Sequence, residues 1–398
     1  MKPRIFIICN VLEDFTRLNR EITTDSPAAS RKVIMLCKSL KQAGIRPLII
    51  SQGRGKANGK FKYYGFSIRR IEEVPILYLP FSHVPIISEL LSLFSPLYVI
   101  FKNRRRIIKK AIVYYNRNIS YFPTLLLSAL LGYINILDLE DGEVDSDHMR
   151  SHNYLYRFIQ DVYDQLCSDG ALLACSSLRN YTSIKRTINY YGVVDAIPVP
   201  NKFDSDIVRF IIGGTLDKDT GVDLLIESIS MISLNNPSWV TKIIFEVTGK
   251  GSLAHELQRI SENVKCPRII YHGRVSDTEY KEILSRCDVG LALKLNNGKL
   301  SNSTFPSKIV EYAMHGLLVL TTDISDARKV LGNNGALYLS NDDPHQLVNL
   351  IQNIAENRLL SSDLANLGRN AVLSKLNPKK SGEIVAEFIF GCNYNDQM

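Results

Sequence analysis

The chain has 398 residues, of which 45% are hydrophobic and 22% charged, and its formal net charge is +8. This length is too great for one ordinary core and predicts two domains of a globular protein. The seven cysteines form no CxxC pair, which excludes a zinc or disulfide framework and indicates a reduced, cytoplasmic protein.

The positive charge is concentrated in the first half. Residues 54–117 contain 13 Lys or Arg and three acidic residues, whereas residues 205–398 contain 20 basic and 22 acidic ones. Such an imbalance predicts an anionic partner for the first half. A membrane surface, an acidic acceptor and nucleic acid all fit this charge. No nucleic-acid recognition motif accompanies it, however, and we expect the chain not to bind nucleic acid.

The N-terminal segment MKPRIFIICNVLED predicts a first strand at 4–10 rather than a signal peptide. Ser26 and Pro27 then have the residue types of a helix N-cap and first position, and Gly44 is typical of the residue after a helix. The next strand is predicted at 47–51. This order is that of half a nucleotide-binding fold, although its first loop lacks GxGxxG.

Residues 53–75, rich in Gly, Lys and Arg, predict a hairpin or a mobile loop. The apolar run 84–101 follows, interrupted by two prolines and Glu89, and the basic segment KNRRRIIKK comes next. Three interpretations stay open: a helix that spans a membrane, an element that lies on an anionic bilayer, and a core helix before a solvated basic one.

A predicted strand at 133–139 ends in acidic residues, among them Glu140 and Asp141. Carboxylates at the carboxyl end of a parallel strand lie where open α/β sheets bind ligands. The alternative is a solvated acidic turn. A strand at 171–176 and a helix at 177–191 are predicted after it.

Four strands are predicted in the second half, and three of them lead to glycine or lysine. The strand from 208 ends at Gly213 and Gly214, that from 242 leads to Gly249, and that from 288 leads to Lys294. The fourth strand, at 269–272, ends at His272, which we interpret as structural.

Residues 305–322, FPSKIVEYAMHGLLVLTT, predict a loop, a helix and a buried strand. Lys308 and the first helical amides would bind phosphate, and Glu311, one turn further, would bind ribose hydroxyls. Ser307 has a hydroxyl that suits a cap. The alternative is an ordinary helix with a surface Lys and Glu.

This stretch resembles the donor-site signature of retaining GT-B glycosyltransferases of the family 4 type. The resemblance continues in order through FIIGGTLDKDTGVDLLIESI, FEVTGKGSL and IIYHGRVSDTEYKEILSRCDVGLAL, over roughly residues 207–350. It implies an α/β protein with two Rossmann-like domains, each with a parallel sheet, facing a central cleft. The implied domains are 1–204 for the acceptor, 205–375 for the nucleotide sugar, and a helical segment 376–398 that packs back onto the first.

The resemblance also implies roles for individual residues. Glu140, Asp141 and Lys308 would be catalytic, and Ser26 would border the acceptor or simply cap its helix. The implied donor contacts are Gly213, Gly214, Thr215, Gly249, Lys250, Arg274, Val275, Lys294, Ser303, Ser307, Lys308, Ile309 and Glu311. Three positions depart from the family pattern: Thr215 and Thr220 replace an Arg and a Lys that touch the diphosphate, and Ser303 replaces the first of two glutamates.

The resemblance therefore implies a transferase that uses a UDP- or GDP-sugar without a metal, with retention, on a glycan or lipid-linked acceptor in surface-polysaccharide biosynthesis. The basic region 54–117 predicts a peripheral location on the inner face of the cytoplasmic membrane. A catalytically silent GT-B protein that binds nucleotide sugar or glycan as a partner subunit is the alternative, favoured by the three departures. For an epimerase or a phosphorylase, the chain offers no lysine-cofactor signal or extra catalytic His.

Overall fold

The structure is a computed structural model, and it describes residues 2–57, 61–104, 109–142, 153–296, 301 and 303–391. The chain forms two compact units, Met1–Val193 with Leu376–Met398, and Val194–Lys375. The domain boundary at 204/205 stays a prediction. Of the basic region 54–117, residues 58–60 and 105–108 lie outside the described part.

The first unit has ten strands, eight of which form one sheet. Its ten strands are β1 (Arg4–Cys9), β2 (Arg46–Ser51), β3 (Tyr63–Tyr64), β4 (Ser67–Ile71), β5 (Val74–Tyr78), β6 (Phe81–Ser82), β7 (Lys110–Tyr115), β8 (Ile134–Leu139), β9 (Gly170–Leu173) and β10 (Thr187–Asn189). The order is β10-β9-β8-β7-β1-β2-β5-β4, and only β4 runs antiparallel to its neighbour. Strands β3 and β6 pair separately.

Strands β1 and β7 show why the sheet forms. Residues 5–9 and 111–114 are buried without a break, as expected of parallel strands covered by helices on both faces. The chain leaves β1 toward β2 on one side and returns to β7 on the other. The covering helices are α1 (Asp14–Asn19), α2 (Pro27–Gln42), α3 (Pro85–Lys102), α4 (Phe122–Leu130) and α5 (Asn153–Leu166).

One predicted element of this unit is wrong. Residues 177–191 form no α-helix: a 3₁₀ turn covers Ser176–Tyr181 and β10 follows. The buried carboxylate of Asp164 explains this, because it accepts hydrogen bonds from the Thr182 hydroxyl and from the backbone and side chain of Ser183. These bonds hold the segment in an extended conformation. The hairpin expected within 53–75 is confirmed as β4 and β5.

The apolar run 84–101 forms helix α3, with Pro96 inside it. Among the described residues, α3 is the helix whose length and apolar composition would permit it to cross a membrane. Core helices of soluble proteins meet the same two criteria.

The second unit has a six-stranded parallel sheet. Its strands are β11 (Val208–Thr215), β12 (Ile243–Lys250), β13 (Arg268–Gly273), β14 (Val289–Ala292), β15 (Leu318–Thr322) and β16 (Leu337–Leu339), in the order β13-β12-β11-β14-β15-β16. The helices are α6 (Val222–Asn235), α7 (Ala254–Asn263), α8 (Asp277–Arg286), α9 (Lys308–Met314), α10 (Ala327–Leu331), α11 (Pro344–Glu356) and α12 (Arg358–Lys375). The strand order reverses between β11 and β14, which is where open α/β sheets bind ligands.

The last helix, α13 (Pro378–Phe390), belongs to the first unit and packs against α2. Gly382 permits the close approach, because a Cβ there would lie 2.1 Å from the carbonyl oxygen of Ser39. The hydroxyl of Ser39 donates to the carbonyl of Pro378 at 2.8 Å.

Candidate active site

Two glycine turns meet at the carboxyl ends of β11 and β12. Gly214 and Gly249 are paired across the two strands, with φ of +110° and +138°. A Cβ on Gly249 would lie 1.9 Å from the carbonyl oxygen of Gly214. Only glycine therefore fits at Gly249, where the two backbones approach closely.

A cluster of three polar side chains lies against this turn. The ammonium of Lys308 donates to Glu311 Oε2 at 2.6 Å and to the hydroxyl of Tyr280 at 2.8 Å. The Tyr280 hydroxyl donates to the same Glu311 oxygen at 3.1 Å. A Cβ on Gly213 would meet the Tyr280 ring at 3.2 Å, and one on Gly214 would meet Lys308 Cε at 3.4 Å. We call Tyr280, Lys308 and Glu311 the switch-point cluster.

Tyr280 was not among the residues predicted from the sequence. It lies near the start of α8, just after the capping box of Ser276 and Glu279. That box predicts the start of α8, but no local pattern indicates which cluster Tyr280 joins. Burial, followed by the neighbouring Tyr312 and Glu311, raises the pKa of Tyr280 well above its usual range, so it acts as a neutral hydroxyl.

Helix α9 begins at Lys308, as predicted. The expected cap is wrong, however, because the Ser307 side chain makes no capping hydrogen bond. Ser307 already has helical φ and ψ (−54°, −23°), whereas a capping side chain needs an extended residue. Ile309 is fully buried and holds the helix in the core, while Lys308 and Glu311 keep 33% and 18% of their side chains exposed.

The remaining predicted donor contacts differ in their places relative to the strands and in their exposure. Thr215 and Lys250 are exposed partners at the ends of β11 and β12, and Arg274 and Val275 follow β13. Lys294 is half-buried after β14, and its carbonyl accepts from the Thr322 hydroxyl. Ser303 is 5% exposed, and its hydroxyl has no hydrogen-bond partner in the described part of the chain.

Thr220, at one of the departures from the family pattern, is held within its own loop. Its hydroxyl donates to the carbonyl of Thr215 at 2.8 Å and of Asp217 at 2.7 Å.

His272 is structural, as interpreted. Its Nε2 lies 2.6 Å from Oε2 of the buried Glu246, which also binds Arg209 and Arg286. Burial alone would raise the pKa of Glu246, but hydrogen bonds from Arg286 and His272 lower it below the usual value.

A second cluster lies in the first unit, at the carboxyl end of β8. Lys32 of α2 forms an ion pair with Glu140 and lies 3.9 Å from Asp138. The Asp138 side chain is 1% exposed, and neither oxygen has a hydrogen bond in the structure as described. Burial and the negative charge of Asp138 raise the pKa of Glu140 to about 8, although Lys32 acts in the opposite direction. Lys32, 108 residues from Glu140, was not predicted.

The other first-unit candidates, Asp141 and Ser26, are exposed. Asp141 follows Glu140 and is exposed, and the acidic residues at 143–147 lie outside the described residues. Ser26 is exposed and occupies the predicted N-cap position before Pro27, but its side chain makes no capping hydrogen bond. Within the described ranges, no group of three or more His, Cys, Asp or Glu is placed to hold a metal ion.

Residues 208–357 match the family model described as Glycosyl transferases group 1. No curated protein matches the chain. Among solved structures, TarM is similar at 12% identity with a TM-score of 0.68, covering 98% of this chain and 99% of TarM. Sucrose-phosphate synthase from Thermosynechococcus elongatus is 13% identical, with a TM-score of 0.67 and coverage of 97% and 98%. Anabaena HepE in complex with UDP and glucose is 13% identical, with a TM-score of 0.66 and coverage of 97% and 99%.

The predicted fold class is confirmed by these similarities and by the two parallel sheets. The fold is GT-B, and with a glycosyl transferases group 1 domain at residues 208–357 the chain is a glycosyltransferase.

Proposed function

We propose that the chain transfers a hexose-type sugar from a UDP- or GDP-sugar to a glycan or lipid-linked acceptor, with retention, in surface-polysaccharide biosynthesis. The structures it resembles support a uridine nucleotide as the first donor to test. One is HepE with UDP and glucose, and another is a variant of S. aureus TarM with α-GlcNAc-glycerol and UDP.

The switch-point cluster carries this proposal. It presents one ammonium and one carboxylate, bonded to each other, beside a glycine turn at the strand reversal. A nucleoside diphosphate offers complementary groups: anionic phosphates for Lys308 and ribose hydroxyls for Glu311. When the donor binds, Lys308 and Glu311 would give up their mutual ion pair. Lys308 would then contact phosphate and Glu311 the ribose, so neither charge is left without a partner.

Catalysis in this proposal is stabilisation of the leaving group. Negative charge grows on the diphosphate as the bond to the anomeric carbon breaks, and Lys308 with the amides of the turns at Gly214 and Gly249 would oppose it. Ser303 would use its hydroxyl on the donor sugar, since no described protein group satisfies it. We expect no metal requirement, and activity in excess chelator tests this.

On the acceptor side we propose Glu140 and Asp141, with Ser26 at the start of α2. Glu140 would accept the proton of the acceptor hydroxyl or bond a sugar hydroxyl. Its raised pKa means that its ionised fraction increases through about pH 8. The rate of a reaction that uses Glu140 as a base would rise over the same range.

We propose that the protein acts in the cytoplasm, peripherally on the inner face of the membrane. The 13 basic residues between 54 and 117 favour an anionic surface. A lipid-linked acceptor would be found on that surface.

The test is binding and turnover with purified protein. UDP, GDP, ADP and CMP are titrated calorimetrically, and release of nucleoside diphosphate from the matching sugar donor is followed with and without acceptor. Lys308→Met is expected to lower kcat about 10²–10³-fold, whereas Lys281→Met, an exposed lysine of α8, is expected to leave it unchanged. The anomeric configuration of the product, read by NMR, tests retention.

The silent partner subunit is the second candidate, because Thr215, Thr220 and Ser303 replace two cations and a carboxylate of the family pattern. Nucleotide binding without turnover toward any acceptor would support it. Absence of binding by all four nucleotides would refute the transferase and leave a silent partner subunit that binds a glycan.

A further inference from the structure

Helix α3 exposes many of its large apolar side chains to solvent. Its serines, Ser88, Ser92 and Ser95, are buried at helical spacing. Its large apolar side chains form an exposed stripe on another face, with exposed fractions from 38% to 74%: Ile86, Ile87, Leu90, Phe94, Tyr98 and Phe101. We call this set the outer stripe. A surface helix of a globular protein has the reverse arrangement.

The buried face of α3 holds the helix in place with Pro96, Val99 and Ile100 beside the three serines. It packs against α4 and β6 of its own unit, and serines permit a close approach of helices. The hydroxyl of Ser92 donates to the carbonyl of Glu89 at 2.7 Å, inside the same helix. The outer stripe therefore lies outside the core, although Val99 and Ile100 on the buried face of the same helix belong to it.

The charges around the outer stripe are mainly positive. Glu89, the acidic residue of α3, is 2.7 Å from the guanidinium of Arg54. At the C-terminal end of α3, the exposed Lys102 lies 5.7 Å from the centre of the Tyr98 ring, and the exposed Arg104 lies 4.0 Å from that of Phe101. An apolar surface with a cationic rim matches the interface of an anionic bilayer, where rings and aliphatic groups enter the acyl boundary and cations meet phosphates.

We infer that the outer stripe of α3 is the membrane-binding element, with the helix parallel to the bilayer plane and the rings of Phe94 and Tyr98 inserted. A spanning orientation conflicts with the packing of the opposite face against α4. The inference names the contact element of the membrane location in the proposed function. It does not depend on donor binding or on the reaction.

The experiment is cosedimentation of the full chain with vesicles of phosphatidylcholine alone and of phosphatidylcholine with phosphatidylglycerol. The wild type is expected to bind the anionic vesicles more strongly. The variant Leu90→Ser, Phe94→Ser, Tyr98→Ser should bind them more than tenfold more weakly, because three inserted side chains are lost. The matched control replaces three exposed leucines of the second unit, Leu234, Leu359 and Leu360, by serine and should bind as the wild type does.

Two further variants separate insertion from charge. Phe94→Trp places a reporter on the stripe of a chain whose single Trp239 is buried, and its emission should shift to the blue with anionic vesicles. Lys102→Gln with Arg104→Gln should weaken binding about fivefold per residue, and added salt should remove most of this difference. Lys379→Gln with Lys380→Gln, on exposed positions of α13, is the charge control.

The inference is overturned if the wild type binds neither vesicle, or if the leucine control weakens binding as much as the stripe variant. It is also overturned if the wild type forms a dimer that the stripe variant abolishes, because the stripe would then bind a second copy. Nucleotide titration of the stripe variant is expected to match the wild type, so that a failure of membrane binding leaves the transferase proposal intact.

Discussion

Replacement of Glu311 by alanine tests the donor site. If Glu311 binds the ribose hydroxyls, the variant loses hydrogen bonds to a charged group, each of which contributes about 1.5–3 kcal/mol. With 18% of its side chain exposed, Glu311 belongs in the middle of that range rather than at its upper end. We take about 2.3 kcal/mol for the whole contact, which corresponds to a roughly 50-fold higher Kd.

Thermal denaturation converts this loss into a measurable shift. At a nucleotide concentration of about 100 times the wild-type Kd, the wild type gains about 2.7 kcal/mol of unfolding free energy. The same concentration is only about twice the Kd of Glu311→Ala, so that variant gains about 0.65 kcal/mol. For a domain of this size the Tm should rise by about 8 °C in the wild type and about 2 °C in the variant.

The ligand-free proteins and a second carboxylate complete the test. Without nucleotide, the variant should lose under about 1 kcal/mol, because its ion pair with Lys308 is partly exposed. Glu282→Ala removes an exposed carboxylate from α8 and should keep the full shift. An equal shift in Glu311→Ala and the wild type would show that Glu311 does not contact the nucleotide, and the donor-site assignment would be wrong.

Three further variants test the geometry of the two units. Gly249→Ala should cost at least about 2 kcal/mol by chemical denaturation and abolish nucleotide binding, whereas Gly332→Ala, also at positive φ but with open space around its Cβ, should cost only about 1 kcal/mol. Glu246→Gln should cost about 2 kcal/mol at pH 7; because the folded pKa of Glu246 is lowered, this contribution is present above the usual glutamate pKa and is lost as the pH falls below it, so equal losses at pH 7 and pH 4 would contradict the assignment. Lys32→Met should cost about 3 kcal/mol at pH 8 and clearly less at pH 5, because burial raises the pKa of Glu140 to about 8 and this carboxyl takes up a proton at the lower pH; a cost independent of pH would refute this.

The sequence predicts the sheets well because their signal is local. Runs such as residues 5–9 and 317–320 are apolar throughout and buried throughout, as is typical of parallel strands covered on both faces. Glycines at the ends of β11 and β12 were predicted for the same reason, since a positive φ or a close backbone approach leaves its mark on a single position.

The side-chain partners of the two clusters could not be predicted in this way. Tyr280 is 28 residues from Lys308, and Lys32 is 108 residues from Glu140. Each pair meets because two elements converge at the carboxyl edge of a sheet, and no periodicity within either element records the other. The sequence also could not predict which face of α3 is buried. An apolar run of that length is compatible with a core helix, a helix at a membrane interface or a membrane-spanning helix until its packing partners are known.

If the switch-point cluster binds the diphosphate as proposed, it does so without the two cations that Thr215 and Thr220 replace in the family pattern. Lys308 is the cation of this cluster, and in the ligand-free structure Glu311 neutralises it. Because the two charges of the pair neutralise each other, the pair would exert little long-range attraction on a diphosphate. The affinity would depend on the contacts that replace the ion pair once the donor is bound. Tyr280 makes that exchange easier, since its neutral hydroxyl bonds both charged groups and can keep one while the other turns to the donor. A transferase of this kind should bind its nucleotide with weak salt dependence, unlike a relative that keeps the additional Arg and Lys.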